Sequence, residues 1–256
     1  MLIDWHTHLS SYTDIDGALR TIRAERILSV ACSVDAESYI ETRALARGQG
    51  FVIPTFGVHP AKSGSVRDLA SLDPYLDESR IIGEIGLDDF WVKDVSQAVQ
   101  EPVFEYMLDH CDRRGKYCVI HTKGAEARIA DMLGHFPGCR PIIHWYSGPK
   151  DLLIALLDLG CLFTFGLELH YSDHIAELLD LVPPDRLLSE TDNPGSEPWL
   201  GGNTDSPRLI ERVVREIASR KGMRPLDMEN LIWRNSMRIL RESGVEADLE
   251  PSSPRP

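Results

Sequence analysis

Residues 2–9 read LIDWHTHL, and three polar side chains, Asp4, His6 and His8, fall at every second position of an otherwise apolar run. Side chains two apart on a β-strand point to the same side of the sheet. As a strand, the stretch turns Asp4, His6 and His8 one way and Ile3, Trp5, Thr7 and Leu9 the other. Such a strand is either an amphipathic edge with its polar side in water, or one whose polar side faces a shared interior. In the second case two imidazoles and a carboxylate converge, which needs a partner such as a metal ion to offset the burial. Eight residues leave both readings open, and the rest of the chain separates them.

Seven further short apolar runs follow, each bounded by turn residues: 26–33 (RILSVACS), 51–58 (FVIPTFGV), 80–86 (RIIGEIG), 117–122 (YCVIHT), 140–145 (RPIIHW), 161–166 (CLFTFG) and 185–190 (DRLLSE). With 2–8 they make eight expected strands. Helical periodicity occupies the gaps at Asp14–Glu25, Ala36–Arg47, Val95–Arg114, Ala125–Phe136, Pro149–Leu159 and Ser172–Leu181, with two more helices near 206–220 and 227–242. This alternation over 256 residues predicts an α/β fold, a single (β/α)8 TIM-type barrel with an extra C-terminal helix, spanning 1–245. An open doubly wound sheet is the competing arrangement, but no glycine-rich dinucleotide turn supports it. The tail at 246–256, EADLEPSSPRP, is polar and Pro-rich and is expected to be disordered.

Composition narrows the function classes. A hydrophobic content of 43% suffices for a sizeable core. No apolar run reaches the length of a membrane span, and the N-terminus lacks the layout of a signal peptide. The five cysteines (32, 111, 118, 139, 161) are scattered, odd in number and without a C-x-x-C pair. They read as reduced thiols in a cytoplasmic protein. The net charge of −13 should repel nucleic acid and anionic membranes. A polyanionic substrate would therefore need a local positive site, from basic side chains or bound cations.

The unusual polar residues share one location. His6 and His8 close the first strand, His59 follows the third, Glu84 ends the fourth, His121 the fifth and His144 the sixth, and Asp192 follows the eighth. Each falls at or just past the C-terminal end of its strand, where barrel enzymes assemble their active sites. One such histidine alone reads better as a hydrogen-bonded core residue. Seven coincidences at one end of the barrel favour a site. His170 and His174 have i, i+4 spacing, but a solvated helix face accounts for them, and His110 and His135 fall in helices or loops. Four histidines with two carboxylates suit Zn²⁺, Mn²⁺ or Fe²⁺ and not Ca²⁺. Six ligands exceed the need of one open catalytic ion, so two ions sharing a bridging carboxylate fit better, with Glu84 of the central strand as the bridge.

Together the motifs DWHTH (4–8), GVHP (57–60), GEIGLD (83–88), VIHTK (119–123), HWYSG (144–148) and ETDNP (190–194) resemble the TatD family of metal-dependent deoxyribonucleases. NSMRIL (235–240) resembles that family's closing Asn-containing helix, so the likeness covers nearly the whole chain. The resemblance implies that His6, His8 and Asp192 bind one divalent ion (Zn, Mn, Mg or Fe), that His121 and His144 bind a second, and that Glu84 bridges them. It places His59 beside the substrate phosphate and makes Asp192 the group that orients the attacking water or takes its proton. The implied activity is hydrolysis of DNA phosphodiesters, 3′→5′ on single strands, by a metal-activated water, with single-stranded DNA or a nucleotide-like molecule as the partner. The cations would supply the positive charge that the acidic chain lacks.

The sequence departs from the family near the substrate. Lys123 stands two residues after the fifth-strand His, where the family usually has Arg; it is the candidate phosphate contact, but as a point charge. Phe90 and Trp91 are displaced by Asp89, and the loop NPGSEPWLGGN adds Glu197 beside Trp199. Trp91 or Trp199 either stacks a base or anchors its loop. Two other functions stay open at this point: a barrel hydrolase acting on a small amide, lactone or phosphoester, and a non-catalytic module stabilised by its metals.

Overall fold

The computed structural model describes residues 1–195 and 206–245. The expected tail at 246–256, and Glu197 and Trp199 of the loop, lie outside the described residues. All eight expected strands form: β1 (Ile3–Thr7), β2 (Leu28–Cys32), β3 (Val52–Thr55), β4 (Ile82–Asp88), β5 (Tyr117–Lys123), β6 (Arg140–His144), β7 (Leu162–Phe165) and β8 (Leu187–Ser189). Every pairing is parallel, in the order β1-β2-β3 and β4-β5-β6-β7-β8. Two single bridges close the cylinder, Phe56 with Ile82 and Thr7 with Asn193. At these seams Gly83 N donates to Phe56 O at 2.7 Å and His8 N to Asn193 O at 2.7 Å. The architecture is the expected (β/α)8 barrel.

The helices follow from local sequence. α1 (Ile15–Glu25) starts where the Asp14 side chain accepts from Gly17 N, and α2 (Ala36–Ala46) starts at a reciprocal Asp35–Ser38 capping box. A short α3 (Asp73–Glu78) precedes α4 (Gln97–Arg114), which ends on Gly115 in the left-handed conformation. Next come α5 (Glu126–Leu133), α6 (Lys150–Asp158), α7 (Asp173–Leu181), α8 (Leu209–Arg220) and α9 (Pro225–Glu242). The β3–β4 connection was not expected in detail. It holds two 3₁₀ turns, Pro60–Ser65 and Leu69–Leu72, before α3, because Pro60, Gly64 and the serines interrupt helical periodicity. His170 closes a separate 3₁₀ turn, Leu167–His170, and His174 lies in α7, so no single helix presents both.

Side chains of all the strand regions except β4 itself meet Ile81 in one buried cluster that includes Trp5, Val30, Val119 and Leu188, a meeting possible only inside a cylinder. Ile239 and Leu240 of α9 join it, and Trp5 Nε1 donates to Ser236 Oγ of the same helix at 2.7 Å. α9 is therefore a plug for the barrel. Asn235, from the NSMRIL motif, fixes it to the approach to β8: Nδ2 donates to Pro184 O at 2.7 Å and to Leu187 O at 2.8 Å. The five cysteines are free and buried, and no helix among the described residues is long and apolar enough to cross a membrane.

Asn235→Ala should strand two carbonyls that its amide now satisfies. The expected loss is about 1–3 kcal/mol, read as a lower urea midpoint at unchanged slope, with metal content per folded molecule unaltered. An unchanged midpoint would refute the anchoring role.

Candidate metal centre

The strand ends bring His6, His8, His59, Glu84, His121, His144 and Asp192 to one place, and all of them except the fully buried His6 line a cavity of about 300 Å³ together with Val34, Trp91 and Gly195. Two motif glycines allow the approach. A Cβ on Gly57 would lie 2.3 Å from Glu84 O, and one on Gly86 would lie 2.1 Å from His121 O. Gly86 also has φ +149, which side chains rarely adopt. GVHP and GEIGLD thus carry glycine where neighbouring backbones press against the site.

Four donor atoms form one compact group. His6 Nε2 lies 3.2 Å from His8 Nε2, 3.4 Å from Glu84 Oε2 and 3.6 Å from Asp192 Oδ1. His8 Nε2 lies 3.6 Å from Glu84 Oε2 and 3.3 Å from Asp192 Oδ1. In a tetrahedron with edges of about 3.4 Å the centre is about 2.1 Å from each corner, the length of a zinc–nitrogen or zinc–oxygen bond. These residues fit a divalent ion.

Glu84 turns its other oxygen to a second set. Oε1 lies 2.9 Å from His121 Nδ1, 3.3 Å from His144 Nε2 and 3.8 Å from His59 Nε2. His144 is shared between the two groups, since its ring stacks on that of His6 at 3.7 Å and its nitrogen also comes within 4.8 Å of Asp192 and His6 donors.

The opposite nitrogen of each ring separates the histidines. His8 Nδ1 faces the carbonyl of Cys32 at 3.1 Å, His121 Nε2 faces Asp88 Oδ2 at 2.8 Å, and His144 Nδ1 faces Glu190 Oε2 at 3.0 Å. Those partners only accept, so the facing nitrogens keep their protons, and once each ring is neutral its inward nitrogen presents a lone pair to the group. His59 is reversed: its Nδ1 accepts from Ala61 N at 3.2 Å, so the proton of the neutral ring sits on Nε2, facing the cavity. Although His59 groups with Glu84 and His121 within 4.8 Å, that tautomer offers an N–H there and no lone pair.

Charge follows the same layout. Burial alone would raise the Glu84 carboxyl, but His59 and His6, with hydrogen bonds from His121 and His144, hold it well below its ordinary range. Burial opposes charge on His144 too, yet Glu190 and Glu84 raise it well above the usual imidazole value. His121 is raised against burial by Asp88 and Glu84, and His8 by Asp192 and Glu84. Burial lowers His6, with the His144 charge adding to the effect, and burial lowers His59 to about 4. Burial would raise Asp192, but His8 and His144 bring it below its usual value.

Asp4 does not join the group that its spacing suggested. Its Oδ1 accepts from His6 N and Thr191 N, and its Oδ2 from Thr191 Oγ1 at 2.6 Å, so it ties β1 to the segment after β8. The β1–β2 register shifts between Asp4 and Thr7, which breaks the strict alternation of a regular strand. Burial raises its carboxyl to about 7. Lys123 is buried, and its ammonium donates to Trp145 O at 2.6 Å and Ser147 Oγ at 2.9 Å. Sequence reasoning missed two carboxylates that back the candidate ligands, Asp88 and Glu190. Both lie inside the motifs GEIGLD and ETDNP, and that membership was the available signal.

Asp88→Asn and Glu190→Gln should each weaken metal affinity by roughly 10–100-fold while leaving the fold intact, as measured by chelator competition. Loading should also expel the protons that the raised values of His8, His121 and His144 hold in place. Affinity should therefore strengthen as pH rises until these rings would be neutral without metal. Affinity independent of pH would contradict this ligand chemistry.

The family described as "TatD related DNase" matches residues 3–241. An uncharacterized metal-dependent hydrolase of Methanocaldococcus jannaschii is 24% identical over 249 residues, covering 93% of this chain and 96% of its own. The uncharacterized metal-dependent hydrolase YcfH of Escherichia coli K12 is 25% identical over 252 residues, with 93% and 95% covered. The crystal structure of YJJV, a TatD homolog from Escherichia coli K12, superposes with a TM-score of 0.83 at 20% identity, covering 93% of this chain and 97% of that one. With the family matched over nearly its whole length and its strand-end motifs gathered at one cavity, the chain belongs to the TatD-related DNases.

Proposed function

We propose that the protein is a divalent-metal-dependent phosphodiesterase acting on single-stranded DNA as a 3′→5′ exonuclease, with two ions held on either side of Glu84. The observation that carries this reading is the division of the Glu84 carboxylate: Oε2 faces His6 and His8, whereas Oε1 faces His121 and His144. His6, His8 and Asp192 would hold one ion, and His121 and His144 the other. Divalent ions there supply an acidified water and neutralise charge that develops on phosphoryl oxygens.

The chain's own residues do the remaining work. Asp192 is ionised, and its carboxylate orients the attacking water and accepts its proton. Its lowered pKa makes it a better orienting acceptor than a strong base. His59 is neutral at ordinary pH, with Nε2–H toward the cavity, and donates to a phosphoryl oxygen. Glu84 keeps both sets of donors at fixed separation, so the phosphate meets a preformed frame. The chain's net charge of −13 would be offset locally by cations held at these residues and not by basic side chains.

Chelator-stripped protein, incubated with 3′-labelled single-stranded DNA, should release the label only after Mg²⁺, Mn²⁺ or Zn²⁺ is added. Glu84→Ala should fold and show no metal-dependent release. His59→Ala should lose roughly 10²–10⁴ in kcat yet keep the parent's metal stoichiometry. Parent-like cleavage by Glu84→Ala would defeat the two-metal reading, and loss of an ion in His59→Ala would make that histidine a ligand.

A further inference from the structure

A second cleft opens beside the metal centre and shares two walls with it. Trp91 and Trp145 line both, and Lys123, Ser147, Glu168 and Tyr171 help to enclose about 180 Å³ beyond them. At roughly 30 Å³ per water this is about six water volumes, the size of one flat heterocycle and too small for two stacked ones.

The cleft is firmly built. Glu190 holds one of the shared residues and its neighbour, with Oε2 on His144 Nδ1 and Oε1 accepting from Trp145 N at 2.8 Å. The position of Trp145 is thereby tied to that of a metal-centre histidine. The Lys123 ammonium lies 5.1 Å and 5.0 Å from the ring centroids of Trp91 and Trp145, besides its bonds to Trp145 O and Ser147 Oγ. Glu168 is buried in the lining of the same cleft, with Oε1 accepting from Gly166 N. Trp91 and Tyr171, in contrast, are 46% and 50% exposed. Two large aromatic surfaces left open beside a reaction centre are an expensive arrangement unless something flat covers them.

The polar groups argue against a second phosphate here. The Lys123 ammonium is spent on two neutral oxygens and two rings, and the Glu168 carboxyl lines the same cleft, so the cleft offers little net attraction for an anion. It offers ammonium, hydroxyl and imidazole groups, a carboxyl, and aromatic faces beside them. An uncharged planar ring with both donors and acceptors on its rim matches that set. In a nucleic acid this is the base.

We propose that this cleft is a base subsite, in which the nucleobase adjoining the scissile phosphodiester stacks on Trp91 and Tyr171 while its edge meets Lys123, Ser147 and Glu168. The inference rests on the phosphodiesterase reading for the role it assigns, but the cleft's selectivity can be measured apart from turnover. Reading of the base makes Lys123 a floor and edge contact for that ring, with phosphate binding left to His59 and the metal centre.

The test uses two single-stranded oligodeoxynucleotides, one intact and one with a stable abasic residue at its 3′ end. Binding to metal-loaded protein, with strands whose phosphorothioate linkages resist hydrolysis, is followed by tryptophan fluorescence, and hydrolysis of the ordinary strands is followed separately. The intact strand should bind about tenfold more tightly, a factor within the range for a single stacked base. It should also be cleaved with a correspondingly higher kcat/KM, and Tyr171→Ala and Glu168→Gln should each shrink both ratios toward one. Equal binding of the two strands by the parent overturns the subsite, as does a ratio that neither substitution changes. Selective binding without any metal-dependent hydrolysis upholds the subsite and rejects the phosphodiesterase reading. Hydrolysis without preference between the strands upholds that reading and rejects the subsite.

Discussion

The buried carboxylate of Glu84 constrains the rest of this structure. An ionised carboxylate in a barrel interior costs several kcal/mol unless charge and hydrogen bonds compensate it. Here five imidazoles from four other strand ends surround its two oxygens. The barrel must close tightly for them to reach, and it closes next to Glu84: the preceding Gly83 bonds Phe56 across one seam, and Glu84 N donates to Ser33 O at 3.0 Å. Glycines at 57 and 86 remove the side chains that would hold neighbouring backbones away. Fold and site are set by the same contacts.

Around that carboxylate the acids divide into two layers. Glu84 and Asp192 face the imidazole nitrogens aimed inward, whereas Asp88 and Glu190 take the protons on the far sides of His121 and His144. Asp88 also accepts from Phe90 N and Trp91 N, so the carboxylate that orients a histidine sets the start of the loop carrying Trp91. Glu190 likewise fixes both His144 and Trp145. Each outer acid thus couples the metal centre to an aromatic wall. A change in either should be felt as lost metal affinity and as altered substrate selectivity together.

Much of this was legible in the sequence. Eight apolar runs separated by helical periodicity specify a barrel, because parallel strands buried on both faces need continuous apolar stretches. Polar residues at or just past the ends of six of these runs marked the candidate site, since such residues are out of place in apolar strands. What escaped was set by contacts remote in sequence. Asp4 has the alternation of a third inward ligand, but an irregular register in β1 and the arrival of Thr191 turn it to a structural task. Asp88 and Glu190 occupy no distinctive spacing, and only the folded chain puts them behind His121 and His144. Whether Lys123 faces solvent or sits against two indoles depends on Trp91 and Trp145, which lie in separate loops. The turns between β3 and α3 follow from Pro and Gly, which define where periodicity ends without specifying the path taken.

The most direct test of the central claim is a crystal structure of the protein loaded with Mn²⁺ or Zn²⁺, with the ions located by anomalous scattering. Two peaks are expected on opposite oxygens of Glu84, one among His6, His8 and Asp192 and the other against His121 and His144, with His59 bound to neither. A single peak that leaves one Glu84 oxygen without an ion, or an ion coordinated by His59, would contradict that claim.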